Sequence, residues 1–513
     1  MSTPARLRPE AVRARPLEAA AELLQAVVVG PALHGAAVTG VTHDSRAVQP
    51  GDVYAALPGH RRHGASFVGQ AAAAGAEAVL TDPAGRAAAV AAGVPVLVIP
   101  DVRARLGQLA AWVYGEPARD LLLIGVTGTN GKTTTAYLLE GGLRAAGHRT
   151  GLVGTIETRI GEETAPSVRT TPEATDLHAL LAVMRERGVT AVAMEVSSHA
   201  LALGRVGGLV FDVALFTNLT AEHLDFHADL EDYFAAKASL FTAHRCRQAV
   251  VDVDDAYGRR VAATADVAVT TVSAADSAAG SAADWRASDV VADPTGASRF
   301  RARGPAGQDL EVSVGLAGDF NVANALLAVA GLRAAGVDGA DVVRGLSGVS
   351  VPGRMERVGE GQPFSVVVDY AHSPDALSRA VAALRPATRG RLLLVVGCGG
   401  DRDPHKRPLM GEIAARVADV VVVTDDNPRA EDPAAIRAAV LAGTARVPAP
   451  QRAEVIERGD RGAAIREAIG RARPGDTLLV AGKGHETGQE VDGAVQPFDD
   501  RRVVRAALRE VPA

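Results

Sequence analysis

The chain has 513 residues, 47% of them hydrophobic and 22% charged, with a formal net charge of −6 and two cysteines, Cys246 and Cys398. That length calls for two to four domains with separate cores. The composition is that of a soluble globular protein, the charge offers nothing to a nucleic acid, and two cysteines exclude a disulfide framework.

Each cysteine reads as a small buried apolar residue in a reducing compartment. Arg6, Arg8, Arg13 and Arg15 near the N-terminus are followed by no apolar run, so the first residues read as a loose arm rather than a signal peptide. Apolar stretches are broken by Gly, Pro or charge short of a membrane span. A cytoplasmic location is expected, and the chain is expected to act as a monomer. Only Lys132, Lys237, Lys406 and Lys483 are lysines among 54 Lys+Arg residues. Where a surface cation suffices this chain uses Arg. The residual lysines are therefore suspects for tasks that need a point charge or an amine.

Short β-rich runs alternate with helical patterns, which predicts an α/β architecture in three blocks. The first, residues 1–118, holds strands at Val53–Leu57, Ala78–Thr81 and Val94–Ile99 and closes on the turn at 115–117. The second, 119–352, opens with the strand Leu121–Val126 and holds further strands at Ala191–Val196 and Val213–Leu219. A helix is predicted over Asn321–Ala335, and the stretch from about Ser273 to Ser298 reads as a surface excursion. The third, 353–513, has strands at Phe364–Asp369, Arg391–Gly397, Asp419–Thr424 and Asp476–Ala481, separated by helical patterns. This fits a parallel, nucleotide-binding-like sheet with functional residues at the C-terminal strand ends.

The strand Leu121–Val126 leads into Gly125-Val-Thr-Gly128-Thr129-Asn130-Gly131-Lys132-Thr133-Thr134-Thr135, and the helical run Ala136–Ala146 follows. In such a P-loop the backbone N–H groups wrap phosphates, Lys132 neutralises them and the Thr133 hydroxyl reaches Mg²⁺. The glycine five residues before the Gly-Lys pair is replaced by Val126. Glu195 ends the next strand and is a plausible Mg²⁺ ligand. His223 follows the Val213–Leu219 strand. Tyr233, Lys237 and Phe241 are four apart and share one helix face with Phe234 and Leu240. A lysine there either snorkels or, desolvated, offers a free amine that CO₂ converts to a carbamate.

Gly-Thr-Asn-Gly-Lys-Thr-Thr, Glu195-Val-Ser-Ser-His, Asn218-Leu-Thr-Ala-Glu-His-Leu-Asp, the Lys237 helix, Asn321-Val-Ala-Asn-Ala-Leu, Gly353-Arg-Met-Glu and Asp369-Tyr-Ala-His together resemble the Mur ligase family. Thr42-His-Asp-Ser-Arg continues the match near the N-terminus, so the resemblance covers nearly the whole chain. It implies three domains: an N-terminal UDP-binding α/β domain, a central P-loop ATPase-type parallel-sheet domain and a C-terminal Rossmann-like domain. It implies an ATP- and Mg²⁺-dependent amide ligase that activates a carboxylate as an acyl phosphate for attack by an amine. Within the family, Gly397-Cys-Gly-Gly-Asp-Arg-Asp, Asp426-Asn-Pro-Arg and Gly482-Lys-Gly-His-Glu resemble the branch that adds a third amino acid to a UDP-linked muramyl dipeptide.

By resemblance, Glu195 and His223 are Mg²⁺ ligands with Thr133, and Lys237 is carbamylated. Asn321, Arg354, Asp369 and His372 join residues 128–134 as ATP contacts. His43 and Ser45 lie at the uridine site with His60, Arg61 and Arg62 on the adjoining loop, and Thr170, Thr171, Ser197 and Arg205 at the muramyl dipeptide. Leu203 and Arg169 depart from the family pattern beside these contacts. For the incoming amino acid, meso-2,6-diaminopimelate is expected over L-lysine. Arg402 and Arg429, after neighbouring strands, would pair with its far carboxylate and stay unpaired if lysine bound. Asp426 and Glu486 would accept from its far ammonium, with Asn427, Pro428 and Gly482 around them. A folylpolyglutamate-synthase-like ligase is the other reading of the scaffold, disfavoured by the uridine-type block and Asp-Asn-Pro-Arg.

Overall fold

The computed structural model describes residues 7–59, 62–275, 282–292 and 297–510. The chain divides into two compact units: residues 1–286 with 304–306 and 326–345, and residues 287–303 with 307–325 and 346–513.

The first unit carries two main sheets and a short antiparallel pair, Arg15–Pro16 with Ala37–Val38. In the smaller, strands run in the order Val27–Val29, Val96–Val98, Ala78–Thr81, Asp52–Ala56 and Gly40–Thr42. All neighbours are parallel except the first pair. In the larger, the first eight strands run Glu163–Pro166, Glu157–Ile160, Thr150–Val153, Ala191–Glu195, Leu122–Thr127, Phe211–Phe216, Cys246–Asp252 and Ala268–Ser273. From Thr150–Val153 onward its strands are parallel. Such strands are covered on both faces, which is why they read as continuous apolar runs. Ala179 and Ala182 of the helix Ala174–Glu186 join the core of the smaller sheet, against residues such as Leu106 and Leu109.

The second unit has a six-stranded sheet ordered Glu356–Arg357, Ser365–Asp369, Thr477–Ala481, Leu392–Val396, Val420–Val423 and Glu454–Glu457. Only its first strand is antiparallel. Separate cores built on Val367, Leu394 and Val423 and on Val368, Val395 and Val422 cover the two faces. The second unit also holds the hairpins Ser298–Arg303/Asp309–Val314 and Gly488–Val491/Ala494–Pro497, outside this sheet.

Three expectations need correction. The N-terminal residues from Leu7 are not a loose arm: Arg8 donates to Asp52 at 2.6 and 2.8 Å, and the N–H groups of Glu10 and Ala11 donate to Glu186. A bidentate Arg–carboxylate pair is strong enough to hold such a segment down. The stretch from Ser273 to Ser298 is not wholly a surface excursion, because it contains the strand Trp285–Ala292. Trp285 and Arg286 pair with Val272 and Ser273, and Trp285 is buried. The helix carrying Lys237 ends at Ala238, so Phe241 reaches the same buried cluster through a following turn.

At the end of Cys246–Asp252, burial pushes the Asp252 carboxyl up to about 7, helped by Asp254 and Asp255. An unfolded Asp titrates near about 3.9, so the folded state holds the extra proton between these values. Stability is therefore full at acid pH and declines as pH rises through that window. Asp252→Asn is expected to melt several degrees above the wild type at pH 8, with the gap closing near pH 4, in thermal scans at both values.

Candidate functional site

In the first unit the Leu122–Thr127 strand delivers its chain to Gly128, and the helix Lys132–Ala145 starts directly after Gly131. Glycine is required at 128: φ is +145°, and a Cβ would lie 1.9 Å from Thr217 Oγ1. The loop is laced to the end of the neighbouring Phe211–Phe216 strand. Thr129 N–H donates to Asn218 O (2.8 Å), Asn130 N–H to Asn218 Oδ1 (2.9 Å), and Thr217 Oγ1 to Asn130 O (2.6 Å). The loop conformation is thus set by a strand more than 80 residues away in sequence. Lys132 Nζ folds back onto the loop, donating to Gly128 O (2.9 Å) and Thr129 O (2.7 Å). Thr134 is buried on the first helical turn.

Parallel register sets Glu195 opposite Val126 at the strand ends. Its buried carboxylate accepts from Thr133 Oγ1 (3.0 Å), Thr155 N–H (2.7 Å) and Thr155 Oγ1 (3.0 Å). Thr133 and Glu195 are therefore joined beside the glycine loop, and their oxygens are the donor type that suits Mg²⁺. Thr155 was not anticipated. Its only sequence signal is its place after Gly154 at the end of a β-rich run, and it also bonds Thr170 (Oγ1 to Oγ1, 3.0 Å).

Lys237 is 1% exposed. Its Nζ donates to Gly128 O at 2.7 Å, the same oxygen that Lys132 uses, and lies 4.6 Å from the centroid of the Tyr233 ring. Burial drives this amine well below the usual lysine range, and the charge of Lys132 pushes the same way. Tyr233, unanticipated as a loop contact, is 3.1 Å from Thr129 Oγ1 through its hydroxyl. His223 adopts a left-handed backbone (φ +58°) and is held below the usual histidine range by burial, with Lys132 and Lys237 adding to the effect. A neutral imidazole is the form that ligates metals. The His199 ring meets the His223 ring edge-on at 5.0 Å.

The dipeptide candidates lie together next to Glu195. Thr171 Oγ1 donates to Glu195 O (2.9 Å) and accepts from Ser197 N–H (3.1 Å), while Arg205 Nη1 donates to Thr171 O (3.3 Å). Arg205 is also paired with Glu173 at 2.9 Å. Of the uridine candidates, His43 Nδ1 sits 3.1 Å from Thr175 Oγ1 and Ser45 Oγ donates to Gln70 Oε1 (3.0 Å). Arg62 is exposed. His60 and Arg61 lie outside the described residues.

In the second unit Asp369 ends its strand and accepts from Met355 N–H (2.7 Å) and Ala371 N–H (2.9 Å), and burial pushes its carboxyl up. The Arg354 guanidinium lies 4.4 Å over the Tyr370 ring, which also meets the rings of His372 and His485. Lys406 Nζ donates to His372 O (2.9 Å). Gly353 has φ +63°, and a Cβ there would strike Gly484 at 2.1 Å, so these two turns pack backbone to backbone. Asn321 is buried, with its amide donating to Ala317 O (2.8 Å) and accepting from Asn324 (3.1 Å).

The loops after Leu392–Val396 and Val420–Val423 converge as their parallel pairing requires. A Cβ on Gly399 would lie 2.9 Å from Arg429 Nη1 and 3.9 Å from Arg402 Cγ, so both arginines border this glycine. Arg429 is not unpaired, contrary to expectation. It donates to Gly400 O (2.6 Å) and lies 3.4 Å from Glu490, because the Gly488–Pro497 hairpin pairs its backbone with Arg429. Arg402 is exposed. A Cβ on Gly482 would come within 2.5 Å of the Asp426 carboxylate. Asn427 Nδ2 donates to Glu486 Oε2 (2.8 Å), as does Lys483 Nζ (3.1 Å). Pro428 lies against the glycine turn, 1.9 Å from a Cβ placed on Gly400.

Three family domains match this chain: the Mur ligase family catalytic domain over 37–114, the Mur ligase middle domain over 126–332 and the Mur ligase glutamate ligase domain over 353–484. The chain is 58% identical to the UDP-N-acetylmuramoyl-L-alanyl-D-glutamate–2,6-diaminopimelate ligase of Streptomyces coelicolor, over 99% of each chain. It is 48% identical to the UDP-N-acetylmuramyl-tripeptide synthetase of Leifsonia xyli, over 99% and 98%. Among solved structures, a UDP-N-acetylmuramoyl-L-alanyl-D-glutamate–2,6-diaminopimelate ligase superposes with a TM-score of 0.69 at 32% identity, covering 96% of this chain and 98% of that one.

Proposed function

This chain belongs to the Mur ligase family, and we propose that it joins meso-2,6-diaminopimelate to UDP-N-acetylmuramoyl-L-alanyl-D-glutamate, at the cost of ATP, in peptidoglycan synthesis. The observation that carries this reading is the charge pattern around Gly399 and Gly482. Arg402 and Arg429 border Gly399 and Asp426 borders Gly482, on loops that follow parallel strands of one sheet, and guanidinium and carboxylate groups together suit an amino acid whose far end is itself zwitterionic.

The proposed chemistry follows from the side chains. The 128–134 loop holds the ATP phosphates through backbone N–H groups, and Lys132 neutralises charge on the transferred phosphoryl group. A D-glutamate carboxylate of the dipeptide takes the γ-phosphoryl group as an acyl phosphate. The amine of diaminopimelate then attacks its carbonyl carbon, gives up a proton and expels phosphate. Thr133, Glu195, His223 and a carbamate on Lys237 would hold Mg²⁺, which supplies positive charge to the phosphoryl oxygens. Thr170, Thr171, Ser197 and Arg205 orient the dipeptide, with His43, Ser45 and residues 60–62 at the uridine end. Asn321, Arg354, Asp369 and His372 contact the nucleotide. Arg402 and Arg429 take the far carboxylate of diaminopimelate, and Asp426 and Glu486 its far ammonium, lined by Asn427, Pro428 and Gly482.

The division into a UDP-substrate domain (1–118), an ATP domain (119–352) and an amino-acid domain (353–513) belongs to the same proposal. It is supported by the three family matches, each of which falls inside one of them. The enzyme is proposed to work as a cytoplasmic monomer. Among the described residues, no helix is long and apolar enough to cross a membrane.

The test supplies the UDP-dipeptide and ATP with diaminopimelate or L-lysine in parallel and follows phosphate release. Turnover is expected with diaminopimelate and little with lysine; equal or better turnover with lysine refutes the specificity. Arg429→Lys keeps the positive charge and the same backbone cost at φ +53°. It loses the planar fork, which is worth about 2–3 kcal/mol, so the KM for diaminopimelate is expected to rise roughly 30- to 150-fold. An unchanged KM would remove Arg429 from the pocket.

A further inference from the structure

Lys483 is fully buried, yet it is one of only four lysines in a chain that otherwise uses arginine. Its Nζ donates to Asn427 Oδ1 (2.9 Å) and to Glu486 Oε2 (3.1 Å). Asn427 closes the triangle by donating from Nδ2 to the same Glu486 oxygen (2.8 Å), and its Oδ1 also accepts from Glu490 N–H (3.0 Å). The Lys483–Glu486 turn is fixed by Glu486 N–H donating to Lys483 O (2.9 Å).

We propose that Lys483 is a positioning residue for the amino-acid pocket, holding Glu486 and Asn427 in the one arrangement that presents Glu486 Oε1 to the far ammonium of the substrate. This rests on the diaminopimelate reading of the pocket. An ammonium has donors only, so the Asn427 end that faces it must be the carbonyl oxygen. That choice turns the Asn427 NH₂ toward Glu486. Two donors then occupy Oε2, and among the described residues Oε1 accepts no hydrogen bond. The slot needs a compact cation with acceptors on two different residues, which a planar guanidinium does not match. A buried ammonium is tolerated because both acceptors are in place. The charge also offsets Glu486, so this carboxylate need not wait for substrate to be neutralised.

The test is a double-mutant cycle on KM. Lys483→Met is expected to raise the KM for diaminopimelate about tenfold or more, while the KM values for ATP and the UDP-dipeptide and the kcat at saturation stay within about threefold. Glu486→Gln should raise the same KM. Because Lys483 acts through Glu486, the double variant should be no worse than Glu486→Gln alone, within about threefold. An unchanged KM in Lys483→Met, losses that multiply in the double variant, or a parallel rise in all three KM values each overturns the proposal. A wild type that ignores diaminopimelate overturns the pocket assignment itself. Should Lys483→Met fail to fold, wild-type protein labelled with [ε-¹³C]lysine replaces it. The Lys483 signal, identified by elimination against variants of the other three lysines, is expected to shift on adding diaminopimelate. A signal that stays in place overturns the proposal.

Discussion

Lys132→Ala is expected to lose at least about a thousandfold in kcat/KM, roughly 4 kcal/mol of transition-state stabilisation, while its circular dichroism stays that of the wild type. The amine is already held at the loop, 2.7 Å from Thr129 O and 2.9 Å from Gly128 O, so no rearrangement from solvent is needed when phosphates arrive. Its removal costs the helix little, because the Lys132–Ala145 helix is anchored by buried residues such as Leu138, Leu139 and Leu143. Lys132→Arg should be nearly as poor, since a five-donor planar group does not fit a loop shaped for an ammonium. Steady-state kinetics with a folding check decide it; near-normal turnover by the Ala variant would sink the phosphate-loop assignment.

The second large effect is expected at Lys237. Lys237→Ala should retain no more than about a hundredth of wild-type activity and regain about tenfold with added formate or acetate. Lys237→Arg should stay inactive and unrescued. An amine 1% exposed beside Lys132 is destabilised as a cation, so more of it is neutral and open to CO₂ than in an exposed lysine. The product is an anionic carbamate, and the released proton passes to solvent. An anion there would sit beside the Lys132 ammonium, exchanging a cation–cation repulsion for an attraction. A small carboxylic acid can occupy the space left by Ala and supply the same charge, whereas Arg keeps the cation and fills the space. An active Arg variant would mean that positive charge alone was required.

How far the sequence carries can be judged at particular residues. The strand–glycine-loop–helix unit was legible because strand, glycines, Lys-Thr and helix are contiguous, and the parallel register then brings Glu195 beside Val126. Strand ends were legible for the same reason: Ala78–Thr81 has the bounds read from its apolar run, and the other strands differ by only a few residues. What was not legible depends on partners distant in the chain. Arg8 finds Asp52, and Arg429 finds Glu490 on a hairpin. Trp285 becomes a buried strand residue only because Val272 offers it an edge. Thr155 carries only the signal of its place after Gly154, and the helix-face spacing of Tyr233 does not mark it as a loop contact. They are set by what folds against them, Glu195 in one case and Thr129 in the other.

The placement of the four lysines also makes this protein a clean substrate for a lysine-specific protease. Two are buried and two half-buried. Lys132, Lys237 and Lys406 lie in helices, and Lys483 sits between two glycines at φ +115° and +52°. None presents the extended, exposed backbone that a protease cleft accepts, so cleavage must wait for the local structure to open. When opening is fast relative to cutting, the cleavage rate reads the population of that open form, and a ligand bound only by the native state slows it by mass action. Fragment sizes then tell which of the four elements a nucleotide, a dipeptide or an amino acid has closed.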